Sequence, residues 1–360
     1  MNDGMTYAPK GKPAPVCGPG DFAFAAAALD HGHINGQCNG LVEAGADLKW
    51  VWDPDPKKVA AFQKSFPQAR AARTLDEIFQ DGSVKLVAAA AVPCERGALG
   101  CRVMEAGRDY FTDKSPFTSL AQLEAARETV RRTGKKYMVY FSERLHVECA
   151  VFAGQLVADW AIGRVVQTMS TGPHRLSASS RPEWFFQHEK YGGILCDIGS
   201  HQCEQFLFFT GAADARLNFS AVANYSCPAY PELEDFGEAS FTADNGASGY
   251  FRCDWLTPDG LGTWGDGRTI LLGTEGFIEM RKYTNLASGQ PGGDHLFLVD
   301  KKGEYHILCT GKAGYPFFGQ LVLDCLNRTE NAMTQAHAFK AAELCLKAQA
   351  QASRIGPSRP

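Results

Sequence analysis

Short apolar runs, each stopped by a polar turn and followed by a helical period, recur along the first part of the chain. Residues 22–29 are apolar throughout, as in a strand buried on both faces of a parallel sheet, and stop at Asp30-His31-Gly32-His33. A helix over about 34–44, ended by Gly45, precedes a second strand at 48–52 that stops at Asp53-Pro54-Asp55-Pro56. The alternation continues with helices at 57–66 and 74–79, a strand at 84–92, a helix at 97–106 and a strand at 109–112. A helix at 120–133 and a strand at 137–141 complete it. This order predicts a Rossmann-type α/β fold, a doubly wound parallel sheet whose crossovers bury both faces. Ligands then meet the carboxyl ends of the strands, where Asp30 to His33, Asp53, Pro93 and Lys114 fall.

Beyond about residue 148 the pattern changes. A helix at 149–162 is followed by strand-like segments at 165–171, 216–224, 237–242, 247–254, 269–273, 277–281, 296–300 and 305–308, with helices at 315–327 and 335–353. Strands in succession predict an α+β domain on a large open, mostly antiparallel sheet. The expected organisation is a flexible leader at 1–20, rich in Pro and Gly, a dinucleotide-binding domain at 21–147, and a second, C-terminal domain at 148–360.

The composition narrows the function. A chain of 360 residues that is 45% hydrophobic has material for two cores. Its 36 basic and 40 acidic residues are interspersed, giving a net charge of -4 without a basic run, which argues against nucleic acid or an anionic membrane as partner. A diffusible small molecule remains. The twelve cysteines form no C-x-x-C pair, and no apolar run reaches the roughly 20 residues of a membrane span, so a soluble protein of the reducing cytoplasm is expected.

The first turn is an altered phosphate-binding fingerprint: Asp30, Gly32 and Asn35 stand at the three glycine positions of G-x-G-x-x-G. Asp30 could instead cap the helix. Asp53 ends the second strand, where a carboxylate can accept from a ribose hydroxyl pair and repel a 2'-phosphate, favouring NAD over NADP. Lys57 and Lys58 nearby pull the other way, and a simple turn carboxylate is the alternative. Lys114, at a strand end before Pro116, could stabilise negative charge on a reacting oxygen, or be a solvated surface lysine. Asp197 and His201, four apart, share a face if helical, and suit a proton relay. His201 could equally be a core histidine, or the pair half of a metal site. No second pair is evident to complete one, so no metal is expected. Between them and the preceding strand, Arg181, Trp184, His188 and Tyr191 lie in a long aromatic stretch that could stack on a sugar ring or pack on the sheet.

With these residues in view, the chain resembles the Gfo/Idh/MocA group of oxidoreductases from about residue 22 to 353. The resemblance rests on Asp53-Pro54-Asp55-Pro56, on Asp113-Lys114-Ser115-Pro116, which looks like E-K-P, and on Gly192 to His201, which looks like G-G-x-x-x-D-x-G-x-H. Gly273-Thr274-Glu275-Gly276 resembles a structural G-T-E-G turn. The resemblance implies NAD(P)-dependent oxidation or reduction of a sugar, inositol or related polyol, by a homo-oligomer, dimer or tetramer, assembled through the open sheet. It makes Lys114 the catalytic lysine with Asp197 and His201 as partners, His201 accepting the proton. Gly32, His33 and Ile34 would meet the pyrophosphate, Asp53 the adenosine ribose, and Val92, Pro93, Asp113 and Lys114 the rest of the cofactor. Asp30, Asn35, Asp113 and Ser115 depart from the family pattern. Two other activities fit the resemblance: an enzyme that retains NAD and cleaves or eliminates through transient oxidation, and a ligand-sensing regulator without turnover.

Overall fold

The computed structural model describes residues 15–287 and 292–356. Within them the chain forms two compact units. The expected flexible leader lies outside the described residues up to position 14. From there the chain is tied down before residue 20, because Val16 N–H donates to Ala44 O at 2.8 Å and Gly20 N–H to Asp47 Oδ2 at 2.5 Å.

The first unit takes residues up to 140 together with Tyr315–Phe339. Its elements run β1 (Ala23–Ala27), α1 (His33–Glu43), β2 (Asp47–Trp52), α2 (Pro56–Ser65), β3 (Arg70–Ala71), α3 (Leu75–Gln80), β4 (Val84–Ala89), α4 (Pro93–Glu105), β5 (Asp109–Asp113), α5 (Leu120–Thr133) and β6 (Tyr137–Tyr140). The six strands form one parallel sheet in the order β3-β2-β1-β4-β5-β6, the doubly wound arrangement. Caps explain the helix starts. Asp55 accepts from Lys57 N–H with Pro56 in the first turn of α2, and Ser119 accepts from Gln122 N–H at α5. Fully apolar β1 is buried along its length, as its composition requires.

The late segment closes this sheet. Gln335 stands beside the outer edge of β6, where its amide Nε2 donates to Tyr137 O at 2.7 Å and its Oε1 accepts from Tyr137 N–H at 2.8 Å. Arg328 reaches Asp109 at 2.6 Å, and Lys136 Nζ donates to Thr329 O at 2.5 Å. The helix Pro316–Asn327 lays Phe318 directly over Gly40 of α1, where a β-carbon would come 2.4 Å from the ring.

The second unit contains α6 (Ser142–Leu145), α7 (Glu148–Ala158), β7 (Val165–Pro173), α8 (His188–Tyr191), α9 (Ile194–Asp197) and α10 (Gly199–Thr210). Then come β8 (Ala215–Ala223), β9 (Phe236–Ala243), β10 (Ser248–Asp254), β11 (Arg268–Gly273), β12 (Phe277–Arg281), β13 (His295–Asp300), β14 (Gly303–Leu308) and β15 (Ser353–Arg354). Its nine-stranded sheet runs β14-β13-β12-β11-β7-β10-β9-β8-β15 and is mostly antiparallel, with β7–β10 and β8–β15 parallel. Burial alternates along β9 and β10, so one face is packed. On the other, Met169 pairs with Ile270 and Leu272 with Phe277, all four exposed. Among the described residues no helix is long and apolar enough to cross a membrane.

The close approach of α4 to β5 and β6 depends on Gly100, where a β-carbon would lie 2.4 Å from the Tyr137 ring and 2.6 Å from that of Tyr110. Gly100→Val is expected to lower unfolding free energy by about 2–3 kcal/mol in urea titration. Gly82→Ala, with nothing within 4 Å, serves as the near-neutral control.

Candidate functional site

In the first unit the chemistry gathers on the buried carboxylate of Asp113, at the end of β5. Its Oδ2 lies 2.9 Å from His31 Nδ1 and 3.2 Å from Arg96 Nη2, and its Oδ1 lies 2.9 Å from His33 Nδ1 and accepts Lys114 N–H at 2.8 Å. Burial alone would raise its pKa, but His33, Arg96 and His31 outweigh that and hold it well below the usual carboxylate range. An ionised carboxylate only accepts, so both imidazoles present Nδ1–H to it. Asp113, expected at the cofactor, is therefore turned inward with both oxygens occupied, and its work is to join the first turn to Lys114.

Arg96, on the first turn of α4, completes this junction. Its Nε donates to Ala91 O at 2.7 Å, and its Nη1 donates to Lys114 O and, at 3.0 Å, to Ser115 O. The Lys114–Ser115 peptide is cis. Lys114 is thus held at its backbone by two buried side chains. Val92 is the N-cap of α4 and Pro93 its first residue, in the short connection that follows β4.

Gly32 is the N-cap of α1, with His33 and Ile34 opening the helix; the first turn has no acidic residue and no side-chain cap. Asp30 does not cap it. Its carboxylate pairs instead with Lys58 Nζ at 2.5 Å, which offsets the negative charge at the phosphate turn. Asp53 is buried at the end of β2, where Oδ2 accepts Leu29 N–H at 2.7 Å and Oδ1 accepts Asp55 N–H at 2.8 Å. Lys58 Nζ stands 3.9 Å from Oδ1, and the Asp53 side chain is fully buried.

His31, His33 and Asp113 also place one metal-ligand atom each within 4.8 Å of one another, a grouping drawn from two places far apart in sequence. The guanidinium of Arg96 on the same carboxylate, with the Lys114 amine on the next residue, opposes a divalent cation there. The two imidazole–carboxylate contacts are accounted for by N–H donation.

In the second unit Asp197 ends α9 and His201 lies in the first turn of α10, the two helices meeting at Ile198, which keeps helical angles. Both are buried. The preceding Gly192 and Gly193 have φ of +85° and +89°, and a β-carbon on Gly193 would strike the Gln349 amide at 2.2 Å. Sequence reasoning missed the groups around His201. Glu143 of α6 accepts from Lys282 Nζ at 3.1 Å and from Gln202 Nε2 at 2.9 Å. Burial would raise the Glu143 pKa, but Lys282, then His201 and His174, hold it at about 2.

The aromatic stretch divides. Arg181 spends its donors on Leu176 O and Arg175 O and stacks on Phe185 and Trp255, at 4.7 and 4.8 Å. Tyr191 is fully buried, donating to Glu232 O at 3.2 Å and accepting Glu234 N–H at 3.0 Å. Tyr191 thus has its hydroxyl engaged by the loop's own backbone, and Arg181 directs Nε and Nη2 to backbone carbonyls. Trp184 and His188 are half-buried. His188 has its pKa raised chiefly by Glu234, whose Oε1 lies 3.6 Å from its Nε2.

Comparison with known proteins agrees with both units. Residues 16–141 match the model of an oxidoreductase family with an NAD-binding Rossmann fold, GFO/IDH/MocA, and residues 151–279 match the GFO/IDH/MocA C-terminal domain. A 1.25 Å crystal structure from Erwinia carotovora atroseptica SCRI1043, provisionally described as an oxidoreductase, is 49% identical over 93% of this chain and all of that one, with TM-score 0.90. A levoglucosan dehydrogenase solved with NADH is 16% identical over 91% of this chain and 97% of its own, with TM-score 0.74, a likeness of fold. Dehydrogenase aclE of Aspergillus oryzae is 23% identical over 160 residues, 44% of this chain; the match spans only 43% of that protein.

The junction has consequences for stability. Arg96→Met strands a buried carboxylate and three carbonyls, and is expected to cost about 3–5 kcal/mol in urea unfolding. Burial, then the His33 ring, lowers the His31 pKa from 6.5 to about 4 despite Asp113. An unfolded chain therefore binds a proton that native His31 refuses, so its contribution is complete above pH 6.5 and disappears as pH falls toward 4. Replacing it by Asn should flatten the stability–pH slope in that window by up to one proton.

Proposed function

The chain belongs to the GFO/IDH/MocA oxidoreductases with an NAD-binding Rossmann fold, and from that membership we propose that it transfers a hydride between nicotinamide and a hydroxyl-bearing carbon of a sugar or related polyol. The observation that carries this reading is the mounting of Lys114, a buried lysine whose backbone is clamped by Arg96 and Asp113 at a strand's carboxyl end. A lysine of no consequence would be solvated.

When bound, the nicotinamide supplies the hydride acceptor. Lys114 hydrogen-bonds the substrate oxygen and stabilises the negative charge that develops as its proton leaves. His201 takes that proton, with Asp197 at the preceding turn as its partner. Lys114 would go on holding the same substrate oxygen once it is a carbonyl, and in the reverse direction His201 would return the proton. Asp53 would hold the adenosine ribose hydroxyls, and the start of α1 at Gly32, His33 and Ile34, which has no side-chain cap, would take the diphosphate. This favours NAD over NADP, because a 2'-phosphate would be repelled by the Asp53 carboxylate.

The carbohydrate class is supported by fold neighbours described as levoglucosan dehydrogenase and aldose-aldose oxidoreductase. Trp184 and His188, the half-buried members of the loop, are the proposed sugar contacts. The exposed apolar face of the nine-stranded sheet suits a second copy of the chain. A cytoplasmic setting accords with twelve free cysteines.

Lys114→Met is expected to abolish turnover while leaving NAD affinity within roughly tenfold, about 1.4 kcal/mol; retained turnover would remove the assigned role. Asp53→Ala should weaken NAD more than NADP in parallel titrations. Mass spectrometry of gently purified protein tests whether NAD(H) is retained, and steady-state turnover of added NAD whether it is released.

A further inference from the structure

Four elements of the second unit meet in a buried polar network beside His201. Glu143 comes from α6, Gln202 and Gln205 from α10, Lys282 from the residue after β12 and His174 from the residue after β7. Lys282, whose side chain is fully buried, donates to Glu143 Oε2 at 3.1 Å and to Gln205 Oε1 at 2.6 Å. Gln205 Nε2 donates in turn to His201 O at 3.0 Å, and Gln202 Nε2 to Glu143 Oε2 at 2.9 Å. The network therefore fixes both the backbone of His201 and the Glu143 carboxylate, which feels the charge of His201.

One oxygen of that carboxylate is left over. Glu143 is 2% exposed, its Oε2 accepts twice, and its Oε1 is buried without a donor. Leaving a buried anionic oxygen unbonded costs free energy that a folded chain normally avoids. The titratable groups that act on Glu143 are Lys282, His201 and His174, with Cys253 of β10 also close enough to feel its charge. Lys282 is already engaged on Oε2, and His174 Nδ1 lies 3.1 Å from Gly172 O. Of these groups, His201 is the one whose capacity to donate increases during the proposed reaction, when its imidazole gains a proton.

We propose that Glu143 is a positioning residue for proton transfer, its Oε1 receiving the N–H of His201 when that imidazole is protonated, with Lys282 keeping the carboxylate charged and in place. The inference rests on His201 being the proton acceptor of the proposed reaction. The proton stays on the imidazole, and Glu143 supplies a negative partner that makes the imidazolium more stable. Asp197 lies one turn before His201, while the neighbouring buried pair Arg144–Glu204 is internally neutral.

The test is the acidic limb of kcat/KM against pH in the direction of alcohol oxidation, where His201 must be unprotonated to act. Glu143→Gln keeps the shape but removes the charge, and should move that limb to lower pH by about one to two units with a fall in kcat and little change in KM. Lys282→Met removes the opposing cation and should move it to higher pH. A residue that only packs would not give two shifts of opposite sign. An unmoved limb in either variant, or shifts of the same sign, would overturn the inference; if Glu143→Gln fails to fold, Lys282→Met alone reads the sign. His201→Ala separates the two claims. Should that variant leave the limb intact, the role of His201 itself is wrong. Should it remove a limb that Glu143→Gln leaves unmoved, only the role of Glu143 is.

Discussion

The ionised carboxylate of Asp113 is the constraint on which the first unit's functional edge depends. A charge with no exposure to water must be matched from within, and here it is matched by two imidazoles, a guanidinium and a backbone N–H. Each partner comes from a different place. The histidines belong to the turn after β1, Arg96 to the first turn of α4, and Lys114 to the residue after β5. One buried anion therefore sets three strand ends in register with each other. Arg96 is in the same position as a cation: without Asp113 it too would be buried and unmatched.

This explains several departures from the family pattern as one packing solution. Asp30, which looks unfavourable at a phosphate turn, is paired with Lys58. Asn35 takes the place of the last glycine and its Nδ2 donates to Gly32 O at 3.1 Å, fastening the turn. Aspartate in place of glutamate at 113 is compact enough to sit between His31 and His33. Ser115, where proline is usual, donates its hydroxyl to Phe117 O at 2.8 Å. The second unit follows the same physical logic, with Glu143 and Lys282 as the matched buried charges and the carbonyl of His201 held to them through Gln205.

Local features of the sequence were the ones that could be read. The all-apolar run of β1, the Asp-Pro pairs that cap and open α2, and the two glycines before Asp197 each carry their structural reason within a few residues. What could not be read is what depends on distant partners. Arg96 looks like any other helix arginine until its carbonyl and carboxylate partners are brought to it. Asp113 gives no sign of facing inward, and Glu143 and Lys282 lie 139 positions apart. The burial of Tyr191 could not be read either, because an aromatic ring that stacks on a ligand and one that fills a core have the same signature in sequence. Strand β3, two exposed residues at Arg70–Ala71, is too short to show a period. The periodicity of residues 316–327 reveals a buried face, yet not the unit against which it is buried.

That last point bears on how the chain is made. The outer strand of the nucleotide-binding sheet is sealed by a glutamine almost two hundred positions downstream, and Phe318, which covers Gly40, stands still farther along the chain from the residue it covers. During synthesis the N-terminal unit emerges long before its seal, with the backbone of β6 open to any passing strand and the Gly40 groove uncovered. The order of translation thus leaves an adhesive intermediate waiting for the end of its own chain, which makes this unit a natural client for chaperones and a poor candidate for expression as an isolated N-terminal fragment.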